Sequence, residues 1–213
     1  MKISLILNTA CMDPIVAGRS NTYRDAQYVS RIDMLRETIA DAKDFDEIIV
    51  AGNYKAGDGY KYIEVQPHAH NRSDGLIQRE VGARHSIGDI LVFCHDDHRP
   101  GEGFAKIVWE HYGMPNSNSI DMLNISNTQN DLLIPKRIHK LNGSTLNNGK
   151  DDDYMGGHCL VMHRSLWAEV PWTLTDLTFW DVVMTRLWRE AGANLIWHDE
   201  LIHYDLEASE DED

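Results

Sequence analysis

Three short apolar runs, each closing on polar residues or glycine, decide most of what this chain can become. They are "KISLILN" (2–8), "FDEIIVAGN" (45–53) and "GDILVFCHDDH" (88–98). Runs of this length, rich in Ile, Val and Leu, suit strands buried on both faces. Between them the spacing changes. "RIDMLRETIADAK" sets Ile32, Leu35, Ile39 and Ala42 at helical intervals. "SDGLIQREVGARHSIGD" predicts a helix after Ser73 that packs through Leu76, Ile77 and Val81 and ends near Gly88. A shorter strand is expected at "YKYIEVQ" and a helix over "GFAKIVWEHYG". Strand–helix–strand alternation of this kind argues for an open α/β sheet with parallel strands.

The remainder is less regular. Residues 13–30 read as a surface loop. Residues 115–141 hold "IDMLNIS" and "DLLIPKRI", expected as irregular strands at a sheet edge, and the Gly-, Asn- and Asp-rich stretch 142–153 as a mobile loop. "YMGGHCLVMHRSLWAEV" predicts a strand and a short helix, and "FWDVVMTRLWREAG" a helix with Val183, Leu187 and Ala191 on one face and Gly192 as its stop. "ANLIWHDELIHYD" is expected to hold a strand and a histidine-bearing segment. No internal repeat or linker interrupts the 213 residues, which predicts one domain over 1–206 followed by an acidic, disordered tail at 207–213.

The formal charge is −14, and five of the acids (Glu207, Glu210, Asp211, Glu212, Asp213) lie in that tail, so the preceding body still carries −9. Such a balance argues against general nucleic-acid coating. No run approaches the roughly 20 apolar residues of a membrane span. The opening "MKISLILNTAC" has an apolar core, Ile3 to Leu7, shorter than the about 7–15 residues of a signal peptide's centre, and reads as a first strand. Three cysteines, Cys11, Cys94 and Cys159, form no C-x-x-C pair and fit a reducing cytoplasm better than a disulfide scaffold.

In open α/β sheets ligands gather beyond the carboxyl ends of the strands. Thr9, Asn53, Asp96 and Asp97 fall at such ends. Two adjacent carboxylates flanked by His95 and His98 have no packing purpose at a buried strand's end; a metal ion or a phosphate-bearing ligand would give them one.

From these blocks the chain resembles family-2-type glycosyltransferases of the GT-A fold. The likeness runs through "QREVGARHSIGDILVFCHDDH", resumes at "GGHCLVMHRSLW" and closes with "FWDVVMTRLWREAG…IHYD". It implies a Rossmann-like domain with a mainly parallel central sheet flanked by helices. It also implies transfer of a sugar from a nucleoside-diphosphate donor to an acceptor hydroxyl, with inversion. Asp97 matches the last acid of the family's Asp-x-Asp motif and would bind the metal, with His203 as the late histidine of the same site. Asp181 matches the catalytic base, and Trp180 stands where the family has Glu. Arg79 and Gly82 match the donor-side arginine and glycine, while His95 stands at the first acid position and Asp96 adds a second charge. The uracil-contacting aspartate is replaced by Asn53, though a UDP-sugar is the first donor the resemblance suggests.

The chemistry agrees with those assignments. A departing diphosphate accumulates charge that Mn²⁺ or Mg²⁺ offsets, and an imidazole ligand leans the choice to Mn²⁺. Asp181 would take the acceptor's proton; the helix dipole lowers its pKa while neighbouring Phe179 and Trp180 desolvate it. Plainer readings stand beside these: a polar strand end for Asp97, a helix-start carboxylate for Asp181, an ordinary histidine for His203 among eleven. Gly156 and Gly157 are either a simple turn or a close approach to the acceptor. Trp167, Trp172 and Trp188 read as core, and His68, His70 and His85 have no recognised metal spacing. Two alternatives remain open: a sugar-nucleotide or carbohydrate binding protein without catalysis, and transfer to hydroxymethylated pyrimidines in DNA. In the second, Lys136, Arg137 and Lys140 of "PKRIHK" would meet phosphates.

Overall fold

The computed structural model describes residues 1–9, 31–65, 74–113, 128–140, 142–150, 154–172 and 180–206. The expected loop at 13–30, the apolar run "IDMLNIS", His68, His70 and the acidic tail lie outside the described residues.

The three apolar runs are strands: β1 (Ile3–Thr9), β2 (Glu47–Gly52) and β4 (Ile90–His95), with β3 (Lys61–Glu64) as the fourth parallel member. All seven residues of β1 are buried, which accounts for a run without polar alternation. Helices α1 (Arg31–Asp41), α2 (Asp74–His85) and α3 (Phe104–Gly113) lie where helices were expected, but α2 buries Leu76, Gln78, Arg79 and Ala83, whereas Ile77 and Val81, expected in the core, are only half-buried. The second half adds β5 (His98–Pro100), β6 (Asp131–His139), β7 (Thr145–Leu146), β8 (Cys159–His163), α4 (Arg164–Glu169), α5 (Trp180–Glu190) and β9 (Asn194–Asp205).

One nine-stranded sheet results, in the order β3-β2-β1-β4-β8-β6-β9-β5, with β7 against β6. The β3-β2-β1-β4 half is parallel; beyond it β4–β8, β8–β6 and β5–β9 pair antiparallel while β6–β9 is parallel. The sheet is therefore mixed, with its parallel part in the N-terminal half.

Alternate residues of the central strands feed two cores. Leu5, Leu7, Val92 and Cys94 pack with Leu35 of α1 and with Phe104 and Val108 of α3. Ile6, Leu91, Phe93, Leu160 and Met162 pack with Leu76 and Ala83 of α2, Leu166 of α4, and Met184 and Trp188 of α5. Trp172 and Trp188 are core, as their sequence context implies. Arg164 ties the layers by donating to the carbonyls of Ala83 (3.2 Å), Ser86 (3.0 Å) and Gly88 (2.6 Å), at and just beyond the end of α2.

Two expectations are corrected. Segment "DLLIPKRI" is no edge strand: β6 lies between β8 and β9. Pro135 stands at a register shift in its pairing with β9. The loop expected over 142–153 includes β7, whose Thr145 and Leu146 pair with Ile138 and Arg137.

Gly82 measures how tightly α2 lies on β1, because a Cβ there would sit 2.4 Å from Ile6 Cγ2. Helix propensity favours Ala over Gly by about 1 kcal/mol, yet overpacking a close contact costs about 1–3 kcal/mol. Urea unfolding of Gly82→Ala is expected to show a net loss of stability. In an Ile6→Ala background, where the Cγ2 is gone, that loss disappears. An unchanged or higher midpoint for Gly82→Ala alone would refute the tight contact.

Candidate active site

β4 is buried through Cys94 and then delivers His95, Asp96 and Asp97 into a turn before β5. Asp96 is fully buried and held at both oxygens: Arg31 Nη1 donates to Oδ1 at 2.9 Å, and the Tyr54 hydroxyl donates to Oδ2. Arg31, the first residue of α1, turns its other nitrogen to Asp97 Oδ2 at 3.1 Å. One guanidinium thus bridges both carboxylates, the forked geometry that Arg offers and Lys does not. Burial pushes the Asp97 carboxyl up, but His98 and Arg31 outweigh it and hold it well below the usual carboxylate range. Its second oxygen, Oδ1, accepts no hydrogen bond and faces His98 Nε2 at 3.6 Å.

His98 is the hub of an imidazole cluster. Its ring centroid lies 4.8 Å from that of His158, 5.1 Å from His203 and 6.0 Å from His95. His203 is 2% exposed and arrives from β9. There Pro135 pairs with His198 but Lys136 with Ile202, so Asp199, Glu200 and Leu201 are extra residues and His203 falls opposite Arg137. His158 precedes β8 and is held at the end of β4 because the His95 N–H donates to its carbonyl at 3.2 Å. Asp205 lies 3.7 Å from His98 Nε2 and is itself fixed by the Arg137 guanidinium.

Burial pushes all four imidazoles below their ordinary pKa, well below for His95, His158 and His203. At His98 the carboxylates of Asp97 and Asp205 oppose this. Among the described residues, His95 Nε2, His98 Nδ1 and both ring nitrogens of His203 are buried without a hydrogen-bond partner.

A second layer lies beside the cluster. Arg79 is fully buried between the rings of Trp172 (4.9 Å) and Trp180 (5.0 Å), and desolvation lowers its pKa to about 10. It donates to Asn8 Oδ1 at 3.1 Å and to the Gly157 carbonyl. Gly157 is required by packing within the chain: a Cβ there would lie 2.3 Å from the Trp180 ring. A Cβ at Gly156 would lie 2.8 Å from the Asn148 carbonyl oxygen. The close approach at these glycines is therefore made by the chain itself. Asp181 follows Trp180 in the first turn of α5, and its charge acts on Arg79. Its carbonyl accepts from Thr185 Oγ1 at 2.7 Å, and that oxygen accepts from the Met155 N–H at 3.0 Å, linking α5 to the segment before His158.

Asp97, His203 and His95 therefore come together in one cluster, with Asp96 bound into its support. Arg79 lies beneath, as a buried strut. Thr9, at the end of β1, is buried, and its hydroxyl donates to the Tyr54 carbonyl at 3.4 Å. Asn53 follows β2 and is half-buried. His85 is exposed at the end of α2, away from the cluster. Sequence reasoning missed Arg31, Tyr54, His158 and Asp205. It quoted His98 without a role, although that residue closes the "HDDH" motif.

The donor types suit a divalent ion. One carboxylate oxygen and several neutral imidazole nitrogens are dry and without partners, which costs about 1–3 kcal/mol for each such group. Among the described residues no three His, Cys, Asp or Glu side chains already converge in coordinating geometry.

No family model and no curated protein matches the chain in sequence. Solved structures do match in fold. TarS of S. aureus superposes with a TM-score of 0.60 at 13% identity, over 96% of this chain and 36% of that one. The mannosyltransferase PcManGT from Pyrobaculum calidifontis, in complex with GDP-Man and Mn²⁺, gives 0.57 at 12% identity over 99% and 58%. GalNAc-T7 with UDP, GalNAc and Mn²⁺ gives 0.62 at 10% identity over 98% and 44%. The chain has the GT-A glycosyltransferase fold and spans less than two thirds of the length of each of these neighbours.

The imidazole cluster sets an acid limit on the metal-free protein. Unfolded histidines titrate near 6.5, so below that pH the unfolded chain binds more protons than the folded one. Stability fully present above about pH 6.5 is lost as pH falls, by up to about 1.4 kcal/mol per pH unit for each imidazole that stays neutral. Arg31, Arg79 and Arg137 add to the effect, and Asp97 and Asp205 oppose it at His98. Thermal melts in EDTA are expected to fall between about pH 7.5 and about pH 5.5, and less steeply for His158→Gln. Equal slopes in the two proteins would contradict the assignment.

Proposed function

We propose that this chain is a metal-dependent glycosyltransferase that moves a sugar from a nucleoside diphosphate to an acceptor hydroxyl with inversion. The observation that carries the reading is the dry carboxylate and imidazole group at the carboxyl end of β4 in a GT-A fold, with Asp97 and His203 in one cluster. Asp97 and His203 would hold the divalent ion, which offsets charge developing on the departing diphosphate. His98 and Arg31 keep Asp97 ionised, and Asp205 lies 3.7 Å from His98 Nε2. Asp181 takes the proton from the acceptor hydroxyl as that oxygen attacks the sugar carbon from the side opposite the diphosphate. One displacement inverts the configuration. UDP and GDP are the donors to compare, because Asn53 stands where the resembling family has its uracil contact.

The acceptor side is assigned to a cavity of about 440 Å³ lined by Lys136, Asn147, Asn148, Lys150, Trp197 and His198. The Asn148 carbonyl accepts from the Gly156 N–H at 2.7 Å, which joins this wall to the Gly157–His158 segment. A DNA acceptor gains little support from the basic run: Arg137 is engaged by Asp205, and Lys140 by Glu37 at 2.6 Å. No described helix is long and apolar enough to cross a membrane. A reaction in the cytoplasm, as the cysteines suggest, belongs to the same proposal.

One observation favours a second reading, a donor-binding protein without turnover. Arg31 already sits 3.1 Å from Asp97, where it neutralises the carboxylate that a metal would use. Thermal-shift measurements with UDP and GDP, each with and without Mn²⁺, separate the possibilities from a chain that binds neither. A metal-dependent shift that Asp97→Ala abolishes is expected. Donor turnover should fall about 10²–10⁴-fold in Asp181→Asn with the nucleotide shift retained. A nucleotide shift with no turnover by the wild type would establish the second reading, and no shift with either nucleotide would overturn both.

A further inference from the structure

The cavity assigned to the acceptor carries a surplus of hydrogen-bond donors. On one side β9 bulges, since Asp199, Glu200 and Leu201 are extra residues where Lys136 stands. The turn after β7 forms another wall and is pinned in place. Asn148 Nδ2 donates to the Pro135 carbonyl at 3.1 Å, and the Gly149 N–H donates to Asn147 Oδ1 at 2.7 Å. This turn brings Lys150, and β6 brings Lys136, to one space of about 440 Å³. The neighbouring cations of the same strand end are taken, Arg137 by Asp205 and Lys140 by Glu37. Among the described residues neither Lys136 nor Lys150 has a carboxylate partner, although the chain has 34 acids against 20 Lys and Arg. His198 adds a donor, because its Nδ1 accepts from the Leu201 N–H at 3.2 Å and the ring proton is left on Nε2. The indole N–H of Trp197 is buried without an acceptor, and its ring packs against the core that includes Trp172 and Trp188. Solvated lysines on an open surface need no ligand. Here they share a cavity with an aromatic ring and further donors, and Asp199 is the only acid among the described residues that line it.

We propose that this cavity binds an anionic sugar, its carboxylate or phosphate meeting Lys136 and Lys150 and its ring lying against Trp197. The inference rests on the proposed function in one respect, that the bound sugar is the acceptor. The hydrogen bond from Gly156 to Asn148 joins the cavity wall to Gly157, which packs on Trp180 next to Asp181. Carboxylate and phosphate oxygens only accept, so they match a lining of donors and form the stronger, charge-assisted hydrogen bonds. A neutral sugar forms none of these with the lysines. With a net charge of −14, the chain repels an anion over much of its surface, so the two ammonium groups decide the affinity.

Saturation-transfer NMR on the full chain, in EDTA and without nucleotide, tests this with glucuronate, glucose 6-phosphate and glucose as probes. At least one anionic sugar is expected to bind about 10-fold or more tightly than glucose, an advantage that shrinks as salt is raised. Whichever of the two leads tells a carboxylate from a phosphate. Lys136→Gln and Lys150→Gln should each reduce the advantage and together abolish it, with far-ultraviolet circular dichroism unchanged. Inorganic phosphate, which has no ring for Trp197, should bind more weakly than the anionic sugar. Three sugars that bind equally or not at all, a preference indifferent to both lysines, or inorganic phosphate bound as tightly as the sugar would overturn the proposal. Nucleotide shifts measured on the same samples keep the two readings apart. Lysine-dependent binding of an anionic sugar with neither UDP nor GDP bound upholds this site and removes the glycosyltransferase. A nucleotide shift without any preference for the anionic sugars does the reverse.

Discussion

Two adjacent carboxylates at the end of a buried strand must be neutralised, and the arrangement around Asp96 and Asp97 follows from that requirement. An uncompensated charge in a dry interior costs several kcal/mol. Arg31 answers it from the start of α1, 65 residues away in sequence, by bridging both carboxylates. Tyr54 adds a hydroxyl to Asp96. These contacts tie the first turn of α1 and the segment after β2 to the end of β4. The turn that carries Asp97 is thereby fixed before any ligand arrives.

The two aspartates divide the work. Asp96 is fully engaged and shapes the turn, so its charge serves structure. Asp97 keeps one oxygen without a hydrogen bond, turned toward His98 and the imidazoles beyond it. Burial keeps those rings neutral, and a neutral imidazole has the lone pair that a metal needs. On the far side, Arg79 between two tryptophans braces Gly157 against β1, giving the backbone next to His158 a rigid floor. Preorganisation of this kind lets sparse ligands act without first reorganising the protein.

What could be read from the residues divides along the same line as local and distant physics. β1, β2 and β4 were legible because strands buried on both faces cannot alternate; the helices were placed correctly in the chain, but α2 and α5 bury Leu76, Ala83, Met184 and Trp188 rather than Ile77, Val81, Val183 and Ala191. Asp97 was legible from its place at a strand end. β6 was misplaced at an edge because nothing local shows that β8 and β9 pair on either side of it, with a register shift at Pro135. The same shift aims His203, and no local pattern announces it. Arg31, His158 and Asp205 join the site only through long-range pairing, so sequence spacing carries no trace of their meeting. The glycines at 156 and 157 were read as a simple turn or a close approach to an acceptor; the groups that crowd them are Trp180 and the Asn148 backbone.

The central claim is that a cation is gripped where β4 ends. Anomalous diffraction at the manganese edge, from crystals grown with Mn²⁺ and UDP or GDP, tests it most directly. The account predicts one strong peak about 2.0–2.3 Å from a carboxylate oxygen of Asp97 and a ring nitrogen of His203, with diphosphate oxygens on its open side. A manganese peak elsewhere with this cluster empty, or bound nucleotide remote from Asp97, would contradict it.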